Sequence, residues 1–100
     1  MNTLRRGAVR CIVFKEDDTW YGTALELNIV VEADDPDVAN FNLQEAIRGY
    51  RESLEKAGIT TKIGVLNQKT EPEYEEMWEN LEKGAPIPSP FEVHSYGVTV

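Results

Sequence analysis

One cysteine and one histidine among 100 residues leave little for catalysis or metal binding. A lone cysteine excludes an internal disulfide framework, and a lone histidine gives no ligand set for zinc. Basic residues are also scarce. Ten Lys and Arg stand against eighteen Asp and Glu, a net charge of -8, which argues against a nucleic-acid or anionic-membrane surface as the main partner. No apolar run approaches the ~20 residues of a membrane span. Met1–Arg6 lacks the apolar stretch of a leader peptide. The seven glycines are scattered, so no phosphate-binding loop is present. These absences point to a soluble cytoplasmic protein that is not an enzyme and carries no cofactor.

What is present is enough apolar residue for one core. Leu, Ile, Val and Phe number 25, above the level below which chains stay disordered. The length is that of one domain, residues 1–100, with 1–6 as a flexible tail.

Residues 8–14 are short, apolar and β-branched and read as a strand, and Trp20 to Leu27 as its hairpin partner across an acidic turn. Leu27 to Val31 follows as a third strand, after a bend at Glu26–Asn28 or a bulge in one continuous strand. Asp35 can cap a helix, Pro36 suits its first position and Asp37 its dipole. That helix should run to about Ala57, with Gly58 as its stop. Leu43, Ile47, Tyr50 and Leu54 form its apolar face. Ala39, Asn42, Ala46, Gly49 and Ser53 form a small-residue stripe, and a glycine at position 49 suggests close packing there.

Residues 58–70 fit a short strand or an apolar loop. A second helix starts near Thr70 to Pro72 and ends at Gly84, with Tyr74, Met77, Trp78 and Leu81 as its apolar stripe. Pro86, Pro88 and Pro90 make the next stretch a stiff connector. Phe91 to Val100 is a terminal strand. The expected fold is α+β, a small antiparallel or mixed sheet in the order β-β-β-α-α-β. The first strand is apolar on both faces. Its second face needs a cover, either the second helix or another copy of the chain, and a homodimer is the favoured form.

The stretch Val9 to Leu54 resembles the HicB-like antitoxin family. The resemblance lies in the hairpin from Phe14 to Tyr21, the short strand after it, and matches at Asp34, Ala39, Asn42, Leu43, Glu45 and Ala46. It covers about half the chain. It implies a partial ribonuclease-H-like domain without nuclease activity, acting as a non-enzymatic binding module for a small basic toxin or another protein. Many family members add a basic DNA-binding segment. This sequence ends in a strand with nothing basic after it, so a stand-alone form that binds no nucleic acid is expected. A self-associating structural or small-ligand-binding domain without a toxin is the alternative.

Four constellations bear on chemistry. A ribonuclease-H-like nuclease needs an acid in the first strand to hold metal, and Arg10-Cys11-Ile12-Val13-Phe14 has none. Asp34, Asp35 and Asp37 lack the spacing of a calcium loop. His94 and Ser95 are neighbours on a strand and should face opposite ways. Cys11 sits among apolar residues and should be buried and inert. Arg5, Arg6 and Arg10 are the one basic cluster, read as a flexible tail leading into the first strand or as a contact to nucleic acid. The most distinctive feature is acidic. Glu71, Glu73, Glu75, Glu76, Glu79 and Glu82 fall within twelve residues that hold no cation, a spacing that destabilises a helix by like-charge repulsion. The helix reads either as a solvated face or as a docking surface for a basic protein; for the second reading Glu75, Glu79 and Glu82, which share one exposed arc, are the candidate partner-binding residues.

Overall fold

A computed structural model describes residues 8–56, 71–87 and 91–99. Its order is β1 (Val9–Glu16), β2 (Thr19–Ala24), β3 (Ile29–Ala33), α1 (Pro36–Lys56), α2 (Pro72–Lys83) and β4 (Glu92–Thr99). The four strands form one antiparallel sheet in the spatial order β3-β2-β1-β4. The α+β class and the element order therefore agree with the sequence reading. The tail, Gly58 and the 58–70 segment lie outside the described residues.

Local chemistry sets the element ends. The β1–β2 turn needs a residue at positive φ, and Asp17 supplies it at 57°, a conformation Asp tolerates through its short polar side chain. Asn28 does the same at 54°, so the β2–β3 connection is a turn and not a bulged continuous strand. Asp35 Oδ1 accepts from the backbone N–H of Asp37 at 2.8 Å and of Val38 at 3.2 Å, the expected cap of α1. Gly84 closes α2 in the left-handed region, φ 70°, and Ala85 N–H donates to the Asn80 carbonyl at 2.8 Å.

The apolar alternation of β1 is answered on both sides. Val9 and Cys11 pack with Ala24, Leu27, Leu43, Ile47 and Leu54 under α1. Ile12 and Phe14 pack with Leu25, Met77, Tyr74, Trp78 and Leu81 under α2. Each fully buried large side chain stabilises the fold by roughly 1.5–3 kcal/mol before entropy. The second face of β1 is thus covered within the chain, which removes the reason for expecting a second copy there.

The close helix–sheet contact is not where the glycine in α1 suggested. Gly49 is exposed, and a Cβ added there would meet nothing within 4 Å. Of the small stripe only Ala39 enters the core. The tight approach comes from the sheet side: a Cβ on Gly22 would lie 3.1 Å from both the Ala39 carbonyl oxygen and Leu43 Cβ. α2 stands on large side chains instead, Phe14, Met77, Tyr74 and Trp78.

Candidate functional site

α2 begins at Pro72, which tolerates the first position because the N–H it lacks would be unpaired there. Its next residues are acidic at the positive end of the helix dipole. Met77 is buried, and Tyr74, Trp78 and Leu81 are half-buried around it. The rest of the surface carries the carboxylates. Glu71, Glu73, Glu76, Glu79 and Glu82 are exposed.

Glu75 does not belong with them. Its two oxygens accept from Arg10 Nη1 at 2.9 Å and Nη2 at 2.6 Å, a bidentate pair with both side chains half-buried. Arg10 is held from two further directions. Glu26 accepts from its Nε, and its guanidinium lies 5.7 Å from the centre of the Trp78 ring. The second Glu26 oxygen accepts from the Arg10 backbone N–H at 2.7 Å, extending the ladder where β2 has ended. These carboxylates raise the Arg10 pKa further, Glu75 contributing most. Arg10 lies in β1, as the strand over residues 8–14 predicts, and Glu75 ties α2 to β1. Spacing along α2 placed Glu75 correctly on the helix. It could not show that an arginine 65 residues earlier lies opposite, because that contact depends on how α2 crosses the sheet.

Of the three candidate partner-binding residues, Glu79 and Glu82 remain on the open face. A second acidic pair lies on another flank. Between α2 and the connector that follows it is a groove of about 190 Å³, lined by Glu73, Glu76, Met77, Asn80, Ile87 and Phe91. Phe91 is anchored edge-on to Phe14, ring centres 5.6 Å apart. Glu73, Met77 and Asn80 are spaced four and three apart, so their shared face was visible in the sequence. Ile87 and Phe91 were not, since no local pattern brings positions 87 and 91 against α2. No family model, curated protein or solved structure matches the chain.

The remaining candidates resolve as follows. β4 carries a bulge: Val13 stands opposite Ser95 and Phe14 opposite Val93, leaving His94 as the extra residue. The bulge brings His94 and Ser95 to the same side of the sheet, against the alternation expected of a regular strand. His94 packs edge-on against Trp20 at 5.7 Å, with Nε2 3.9 Å from Asp37 Oδ1. Ser95 instead lines a shallow cleft of about 170 Å³ with Cys11, Asn40, Gln44 and Thr99, beside α1. Thr99 Oγ1 donates to Gln44 Oε1 at 3.0 Å in its wall. Cys11 is buried at its base, and burial pushes its thiol pKa up, the opposite of what a nucleophile needs. Both clefts are below the ~300 Å³ at which small-molecule sites begin. Among the described residues, no three His, Cys, Asp or Glu side chains are grouped to hold a metal. No helix among them is long and apolar enough to cross a membrane.

Proposed function

We propose that this chain is a non-enzymatic protein-binding module that docks a basic partner on the outer surface of α2, as a HicB-like antitoxin would hold a small basic toxin. One observation carries the reading. Glu73, Glu76, Glu79 and Glu82 stand exposed on α2 with no ion-pair partner among the described residues, whereas Glu75 is paired with Arg10. Carboxylates three apart on one helix repel one another, and a cationic partner relieves that repulsion. The three-stranded meander leading into a helix capped at Asp35 supports the finer placement as a partial ribonuclease-H-like domain.

The attraction is electrostatic and exposed, so it speeds association and weakens with salt. The test is capture of basic proteins from native lysate by the immobilised protein, at low and high salt. Glu79→Lys with Glu82→Lys should lower the yield at low salt and flatten the salt dependence. Equal yield and equal salt dependence from the double variant would rule the acidic face out as the docking surface.

A further inference from the structure

We infer that the groove between α2 and the connector is a receptor for one long cationic side chain, lysine or arginine, projecting from the basic partner. This rests on the docking role of α2 proposed above and assigns that role a specific anchor. Three features of the groove select this occupant.

Size comes first. About 190 Å³ is room for one side chain and lies below the ~300 Å³ at which sites for small molecules begin. Chemistry comes second. Its less exposed apolar lining, the floor, is Met77, Ile87 and Phe91, and its exposed lining is Glu73 and Glu76. A purely apolar side chain would fill the floor but strip water from two carboxylates without replacing it. A short cation would meet the carboxylates and leave the floor wet. A lysine or arginine does both, laying its methylene stem on apolar surface and presenting its charge at the rim. The third feature is rigidity. Met77 is buried in the core under α2, and Phe91 packs on the buried Phe14 ring, so the floor is formed before anything binds and little ordering cost remains.

The probes are two synthetic peptides of equal length and charge. One carries four lysines. Its twin carries four diaminobutyric acid residues, which keep the charge but lose two methylenes from each stem. Isothermal titration at low salt should give the lysine peptide a Kd roughly tenfold lower, the difference two buried methylenes make. The Met77 and Ile87 methyl resonances should shift with the lysine peptide. Asn80→Trp changes no charge and fills the groove from its rim. It should bring the two peptides to equal affinity and leave binding of the short-stemmed one unchanged. The peptide comparison on the unaltered protein stands by itself if that variant does not fold. Equal affinities on the unaltered protein would overturn the groove and leave the acidic docking face standing. A lysine preference that survives in folded Asn80→Trp would also overturn it. Failure of both peptides to bind would remove the groove and the docking face together.

Discussion

Arg10 joins the sheet to α2. Read as sequence it is one of three arginines near the start of the chain, and Glu75 is one of six glutamates between positions 71 and 82. In the fold they are partners, held by two hydrogen bonds with Trp78 beside them. A place on one exposed arc with Glu79 and Glu82 would make reversal of the Glu75 charge harmless. The structure predicts otherwise. Glu75→Lys should lower stability by about 1–2 kcal/mol, the loss of a charged hydrogen-bonded pair discounted for partial exposure. Glu79→Lys should stay within about 0.5 kcal/mol. Urea unfolding of the two variants side by side makes the comparison. A second residue-scale expectation concerns Cys11 and Tyr74, whose pKa values burial pushes above the ordinary 9.0 and 10.0. The folded chain then keeps protons that the unfolded chain releases. Stability should be full below about pH 9 and fall as pH rises beyond it. Cys11→Ala with Tyr74→Phe should flatten that alkaline decline, measured as the urea midpoint between neutral and alkaline pH.

At the scale of elements, the sequence was most legible where one local pattern decided the outcome. Pro36 after Asp35 opened α1, Gly84 closed α2, and the stripe of Tyr74, Met77, Trp78 and Leu81 faced the core. It was least legible where two elements meet. Gly49 looked like a packing glycine because helix interiors disfavour glycine, yet it faces solvent. Gly22 looked like an ordinary strand residue and lies directly under α1. Similarly, His94 and Ser95 obeyed the period of two on paper, and a bulge set by pairing with β1 put them on one side. Such features depend on a partner strand or helix that no local window contains. Gly22 gives the sharpest test. Gly22→Ala would place a Cβ against a backbone oxygen and the root of a side chain, neither of which can swing away. It should cost about 1–3 kcal/mol, the usual range for an overfilled core. Gly97→Ala, where the added Cβ meets nothing within 4 Å among the described residues, is the control in the same thermal melt.

For the whole molecule, the double-sided burial of β1 is satisfied by α1 on one face and α2 on the other. Light scattering at micromolar concentration should therefore give a mass near 11.3 kDa. Twice that mass would mean that one of the two edge strands of the sheet, β3 or β4, is paired between copies. The two covering layers are not alike, however. α1 rests on the sheet at backbone distance over Gly22. α2 is held off it by aromatic rings and fastened through the Arg10–Glu75 pair. Unequal attachment means unequal opening, and the molecule should come apart in two steps under native conditions. Amide protons of α2 should exchange with deuterium well before those of α1 and β1. Glu75→Gln should hasten exchange in α2 while leaving α1 unmoved. The surface proposed to meet a partner would then also be the part of the fold that lets go first.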